Sequence, residues 1–281
     1  MTPSVDQDRY EQTSSCLWIP RRANRRPVGV DLFCGCGGFS LGMAEGDVDV
    51  AFAADWEVSA AETYLLNLGR RDCQVLDIAA NAKMRRTFWR YTQKLGAGWI
   101  GSANPASEGD CRAFWLGDIH ELTGDRILQA IDEPSVDIVF GGPPCQGMSK
   151  SNSTAGLLDP RNQLLFEFMR IVEELRPKAF CMENVPPLLT TWRPLYEEIE
   201  CRGCAAGYTV TATIIDAANY GVPQFRRRAL ILGALGGKPL SFPMPSTWMQ
   251  GRRPDGTGWN MKSRNEEEDG DQGSEEQEMF G

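Results

Sequence analysis

Short apolar runs alternate with amphipathic stretches along most of the chain. Val28-Gly-Val-Asp-Leu-Phe33 is an apolar run that enters a glycine cluster, and Ser40-Leu-Gly-Met-Ala-Glu45 predicts a helix just beyond it. The pattern then recurs, with Val50 to Ala54 as a strand and Glu57 to Leu68 as a helix. Val136-Asp-Ile-Val-Phe140 is a further strand, followed by a helix from Asn162 to Leu175. There Leu164, Leu165, Phe168, Ile171, Val172 and Leu175 recur at three- and four-residue spacing and form one wide apolar stripe. Lys178 to Met182, Tyr208 to Ile215 and Ala229 to Leu232 predict more strands, with another helix over 189–203. Strands separated by helices imply parallel crossovers, and therefore a three-layer α/β domain.

Three stretches break this rhythm. Residues 1–26 are polar and end in arginines, so they read as an arm with at most local structure. Residues 74–116, with a basic helical stretch from Lys83 to Lys94 and a Gly/Ser/Pro-rich run from Gly96 to Gly109, read as an insertion in a domain spanning 27–247. Residues 248–281 lose periodicity and predict a disordered acidic tail.

Charge changes the picture once it is divided along the chain. The net charge is −9, but Glu266, Glu267, Glu268, Asp269, Asp271, Glu275, Glu276 and Glu278 account for all but one of those charges. A near-neutral body with basic clusters at Arg21-Arg22, Arg25-Arg26, Arg85-Arg86 and Arg226-Arg227-Arg228 can meet phosphate, although solvated surface explains the earlier clusters as well. No apolar run approaches the roughly 20 residues that cross a bilayer, and no apolar signal core opens the chain. The expectation is a protein of the cytoplasm or nucleoid without a membrane partner. Nine cysteines without a regular framework fit a reducing compartment, and Cys201-Arg-Gly-Cys204 lacks the second pair that a structural zinc site needs. No metal is expected.

Two segments carry candidate chemistry. In Asp31-Leu-Phe-Cys-Gly-Cys-Gly-Gly-Phe-Ser40, glycines stand where a strand hands over to a helix, so a ligand can approach bare backbone. A ligand-free tight turn and a dinucleotide site are competing readings, though the spacing is not G-x-G-x-x-G. Asp55 ends the next strand, where a carboxylate can accept ribose hydroxyls or cap the following helix. Gly141-Gly-Pro-Pro-Cys-Gln-Gly147 directly follows a buried strand; its prolines stiffen the turn and hold one thiol, Cys145, at the rim of the sheet. A structural cysteine usually sits in apolar company instead.

Asp31 to Gly42, Gly141 to Ser149, Met182-Glu-Asn-Val185 and Gln224-Phe-Arg-Arg-Arg228 together resemble the ordered motifs of the cytosine-5 DNA methyltransferases, over about residues 28–247. The resemblance implies a Rossmann-like, S-adenosylmethionine-dependent methyltransferase fold with a mostly parallel sheet. It also implies S-adenosylmethionine as cofactor, S-adenosylhomocysteine as product and double-stranded DNA as substrate. On this likeness Phe33, Gly35, Gly37, Gly38 and Pro144 line the cofactor site, Asp55 and Trp56 hold ribose and adenine, Asp118 and Ile119 flank the adenine, and Leu164 completes the pocket. Asp77-Ile78 is the alternative to Asp118-Ile119; Asp118 is preferred because its distance from Cys145 suits one helix-containing crossover.

The same likeness makes Cys145 the thiolate that adds to cytosine C6, Glu183 the acid near N3 and the exocyclic amine, and Arg228 the contact to O2. A free thiol titrates at about 8.5, so Arg226 or Arg228 would favour the thiolate. Gln146, Ser149, Lys150, Asn184, Val185 and Gln224 are expected to face the DNA, with the loop from Gly147 to Gly156 closing over a flipped base. Complete members continue into a target-recognition domain and an Asn-rich helix that these residues do not contain. The expected arrangement is therefore an enzyme working with a second protein subunit that carries those parts. The alternative is an inactive or truncated homologue that serves as a cofactor- or partner-binding module. RNA is a further substrate that related motifs accept.

Overall fold

A computed structural model describes residues 10–12, 18–20, 25–76, 109–144 and 162–246. Near the start, β1 (Tyr10–Gln12) and β2 (Trp18–Pro20) pair antiparallel. The main body then begins with β3 (Val28–Leu32), every residue of which is buried. A strand buried on both faces has no need to alternate, and this explains the continuous apolar run.

The order continues with α1 (Gly38–Glu45), β4 (Asp49–Asp55), α2 (Val58–Leu68), β5 (Gly69–Leu76), β6 (Cys111–Leu116) and α3 (Gly124–Ile131). It closes with β7 (Ile138–Gly141), α4 (Gln163–Leu175), β8 (Ala179–Asn184), α5 (Arg193–Ala205), β9 (Tyr208–Asp216) and β10 (Arg227–Leu235). Eight of these strands form one sheet in the order β5-β6-β4-β3-β7-β8-β10-β9. Pairing is parallel from β5 through β8, and only β10 runs antiparallel to its two neighbours. From β3 the chain builds outward first through β4 and β6, then returns to β7 and builds the other way. The order thus reverses between β3 and β7, where an open α/β sheet opens a crevice at its carboxyl edge.

Two apolar clusters cover the two faces. Val30, Leu32, Phe52 and Trp115 pack with α3, α4 and α5, whereas Ala53, Phe114 and Leu116 pack with Tyr64 and Leu65 of α2. Alternate residues of β4 and β6 supply opposite faces, as strand geometry requires. The stripe predicted for α4 is the buried one, with Leu165, Phe168, Ile171, Val172 and Leu175 inward. The layered α/β expectation therefore holds.

Several boundaries differ from the sequence expectation. The two ends of the anticipated insertion, 74–76 and 111–116, are strand residues of the sheet, and the stretch between them falls outside the described residues. The helix expected from 189 begins at Arg193, because Pro186 to Leu189 forms a 3-10 turn and Pro194 favours the first helical turn. The helix α3, capped by the Thr123 side chain, was not anticipated.

Phe180 of β8 is fully buried and stacks edge-on with Phe168 and Tyr208. Replacing it by alanine is expected to cost about 3–5 kcal/mol in chemical denaturation, from lost burial and the cavity left behind.

Candidate active site

The carboxyl ends of β3, β7 and β8 lie at one level, since Leu32 pairs with Gly141 and Gly141 with Met182. At Gly141 the chains approach so closely that an added Cβ would stand 1.9 Å from the Leu32 carbonyl oxygen, so only glycine fits. Beyond this contact one chain carries the glycine cluster and the other continues in sequence toward Cys145.

On the β3 side, Phe33 adopts a left-handed backbone (φ 59°), an uncommon state for a non-glycine residue and a frequent mark of functional turns. Gly37, at φ 93°, starts α1 with no room for a side chain against Leu68 and Tyr64. Gly38 is exposed and nothing lies near its Cα on the side a Cβ would take. Asp55 holds the loop, with one oxygen accepting from the Gly35 backbone N–H at 2.7 Å and the other from Glu57 N–H at 2.8 Å. Asp55 thus ties the glycine loop to the residue that caps α2, the cap itself being the Glu57 side chain, which accepts from Ser59 N–H. Trp56 projects from this edge with half of its surface exposed, an aromatic face available for stacking. Leu164, at the start of α4, is half-buried against the larger apolar cluster.

Asp118 follows β6, the strand next to β4, and the Gly117 N–H donates to the Asp55 carbonyl at 3.2 Å. Ile119 beside it is buried. The alternative pair, Asp77-Ile78, lies outside the described residues.

On the β7 side, Gly142 to Pro144 lead out of the sheet, and Asn184 fastens them by donating its side-chain amide to the Pro143 carbonyl at 3.0 Å. Asn184 is 4% exposed, and its side chain fixes the position of this loop. Its side-chain oxygen accepts from the Val185 N–H, which draws Val185 into the same brace. Glu183 faces the loop, and a Cβ built on Gly142 would lie 3.0 Å from its Oε2. Arg228 meets Glu183 at 2.6 Å. The antiparallel register explains this pair: Leu230 stands opposite Glu183, and Arg228 is its diagonal neighbour on the same face. Arg226 and Gln224 belong to the exposed loop before β10, which Asp216 anchors by accepting from the Arg226 backbone N–H at 3.0 Å. Cys145, Gln146, Ser149 and Lys150 lie outside the described residues.

One feature of the site was not anticipated. Asp31 is completely buried under the glycine loop, accepts from Ser40 Oγ at 2.6 Å, and Ser40 in turn meets Tyr64 Oη at 2.8 Å. A carboxylate inside an apolar run was the available signal. Burial, opposed by the Ser40 hydroxyl and reinforced by the Asp55 charge, pushes the Asp31 carboxyl up to about 8. Burial also pushes the neighbouring Cys34 thiol well up, which makes it a poor nucleophile.

The arginines upstream serve a different end of the molecule. Arg25 pairs with Glu133, Arg26 with Asp110, and Arg112 with Asp49 and Glu133, all around a depression at the amino edge of the strands. These groups neutralise one another far from the crevice. Cys201 and Cys204 are both exposed on α5, and no group of three or more potential metal ligands comes together among the described residues. No described helix is long and apolar enough to cross a membrane.

The family model for C-5 cytosine-specific DNA methylase matches residues 28–88 and 110–277. The chain belongs to that family. Among curated relatives, the methylase chain is 32% identical over 224 residues to the type II methyltransferase M1.HphI of Haemophilus parahaemolyticus, covering 77% of this chain and 48% of that protein. It is 30% identical over 229 residues to the type II methyltransferase M.AquIA of a Picosynechococcus strain, covering 77% and 75%. Toward M.XorII of Xanthomonas oryzae it covers 44% of the relative, so the methylase chain spans about half the length of several relatives that it matches. Among solved structures it resembles a proposed DNA modification methyltransferase encoded in an E. coli prophage, with a TM-score of 0.53 and 25% identity over 74% of this chain and 47% of that one. Dnmt2 of S. pombe shares the fold, with a TM-score of 0.50 and 19% identity over 77% of this chain and 52% of that one. The fold is thus the Rossmann-like methyltransferase fold that the motifs implied.

Asp31 supplies a test by pH. Its proton is held in the folded protein up to about 8 but only to 3.8 when unfolded, so its contribution to stability is full below pH 3.8 and is lost as pH rises through about 8. Across that window the slope reaches at most about 1.4 kcal/mol per pH unit. The Asp31→Asn variant is expected to lose this slope, measured as the difference in unfolding free energy between pH 6 and pH 8.5.

Proposed function

We propose that this chain is the catalytic part of an S-adenosylmethionine-dependent DNA methyltransferase that modifies C5 of cytosine through Cys145. The observation that supports the reading is that two different sets of groups stand at the carboxyl ends of strands on either side of the point where the strand order reverses. The glycine loop, Asp55, Trp56 and Asp118 rise from β3, β4 and β6. The loop toward Cys145, Glu183 and Arg228 rise from β7, β8 and β10.

The first set fits the cofactor. The open surface at Gly38, the exposed Trp56 ring and the carboxylates of Asp55 and Asp118 offer backbone, stacking surface and acceptors for an adenosyl group. Phe33, Gly35, Gly37 and Ile119 complete that side, and Pro144 and Leu164 close the cofactor pocket from the loop after β7 and from α4. When bound, S-adenosylmethionine supplies a methyl group on a positively charged sulfur, an electrophile for carbon.

The second set fits the base. Cytosine C5 is a poor nucleophile, and addition of the Cys145 thiolate to C6 moves electron density toward C5. Glu183 stabilises the ring that this addition makes electron-rich, by a hydrogen bond at N3 and the amine, and Arg228 both pairs with Glu183 and contacts O2. A base stacked in a duplex cannot reach such a crevice, so the target is flipped out, at a cost of a few kcal/mol. Gln146, Ser149, Lys150 and Gln224, with the exposed Arg226, contact the DNA around it. Recognition of sequence comes from polypeptide beyond the catalytic part, and a second subunit is our preferred source. The functional unit is a methyltransferase domain over 27–247 with an N-terminal arm and an acidic tail.

Transfer of labelled methyl from S-adenosylmethionine to duplex DNA tests this, assayed with the chain alone and with any companion subunit. Cys145→Ser is expected to lower turnover at least about a thousandfold while cofactor affinity is kept, and Asp55→Ala to weaken cofactor binding about tenfold or more. Full turnover in both variants, or label appearing in tRNA and not in DNA, would contradict the proposal.

A further inference from the structure

The turn that carries Asp118 is held from all sides. The Trp115 indole Nε1 donates to the Asp118 carbonyl at 3.1 Å, and Arg170 of α4 donates one guanidinium nitrogen to the carbonyls of Ile119 and Leu122 at 3.0 and 2.9 Å. Arg126 of α3 donates to the Glu121 carbonyl at 3.0 Å and lies over the Trp115 ring. Arg170 is itself fixed by Glu167 and Glu174, and Glu174 also accepts from the Gly124 N–H at 2.7 Å. So many donors on one short turn specify a single backbone position, which a cap alone would not require.

Within this rigid turn the Asp118 carboxylate is used unequally. Oδ1 receives both the His120 backbone N–H at 3.0 Å and the His120 ring Nδ1 at 2.6 Å. Oδ2 has no partner among the described residues, and the side chain is 40% exposed. Burial works to raise the Asp118 pKa, but the two His120 hydrogen bonds and the imidazole charge outweigh it and hold the carboxyl low, hence ionised and purely an acceptor.

We infer that His120, the sole histidine of the chain, is a positioning residue for the cofactor: by occupying Oδ1 of Asp118 it fixes the carboxylate so that Oδ2 accepts from the 6-amino group of the adenine. The inference rests on the assignment of Asp118 to the adenine. It makes the turn a reader of purine position 6, because a 6-oxo group would set oxygen against carboxylate oxygen and leave both without a proton.

The probes are S-adenosylhomocysteine and its 6-oxo analogue S-inosylhomocysteine, titrated calorimetrically into the wild-type chain and into His120→Ala and His120→Gln. The wild type is expected to favour the amino ligand by about tenfold or more. His120→Ala should weaken S-adenosylhomocysteine binding roughly threefold to tenfold while the 6-oxo ligand changes less, so that the preference shrinks. His120→Gln, which keeps a side-chain donor, should recover part of the preference. His120 is exposed, and melting temperatures within about a degree of wild type would separate this effect from unfolding. Unchanged affinities and preference in His120→Ala would overturn the role of His120 and leave the cofactor assignment standing. A wild type that binds S-adenosylhomocysteine without preference over the 6-oxo ligand, or fails to bind it, would overturn the adenine assignment and this inference with it.

Discussion

The backbone of Gly141 rests against Leu32 with no space for a Cβ, and this contact decides where the crevice lies. It keeps β3 and β7 paired to their last residues, so both chains leave the sheet at one level. One half of the sheet, β3, β4 and β6, then presents glycine backbone and carboxylates. The other half, β7, β8 and β10, presents a stiff loop, an acid and arginine. A single seam thus sets two chemically different edges side by side, which is the general advantage of a strand order that reverses.

Each edge is braced from beneath by buried polar side chains. Asp31, Ser40 and Tyr64 tie β3, α1 and α2 together under the glycine loop, and Asn184 ties β8 to the loop that precedes Cys145. The antiparallel course of β10 has a similar consequence, since it delivers Arg228 to Glu183 from the opposite direction to every other strand on that side. Preorganisation of this sort removes the need to order groups during binding, and burial makes it sensitive to protonation, as Asp31 illustrates.

What the sequence disclosed, and what it hid, follows from how each element is stabilised. β3, β4 and α4 were legible because their burial leaves an unbroken or periodic apolar pattern. β5 begins Gly69-Arg-Arg-Asp, the polar composition of an edge strand, so its start carries no strand pattern and only its end, 74–76, falls in the anticipated insertion. β6, a buried inner strand, carries the apolar Ala113-Phe-Trp-Leu116 but follows closely on the Gly/Ser/Pro-rich run and so falls at the end of the anticipated insertion. The site's linear motifs could be recognised as short strings. The contacts that make them a site join residues dozens of positions apart, such as Glu183 with Arg228, Pro143 with Asn184, or Ile119 with Arg170. No local pattern encodes such pairs; they appear only once the strand order and register are known. Asn184 is the instructive case, for nothing in its short motif tells that its side chain is buried and holds the Pro143 carbonyl.

The central claim is a transient bond from the Cys145 sulfur to C6 of cytosine. Fluorine at C5 cannot leave as a proton does, so a duplex containing 5-fluoro-2′-deoxycytidine should arrest the reaction at the covalent stage. With S-adenosylmethionine and any companion subunit present, the account predicts a denaturation-resistant complex of this chain with DNA, seen by intact mass and absent in the Cys145→Ala variant. Its absence, under conditions where a complete relative is trapped on its own site, would contradict the account.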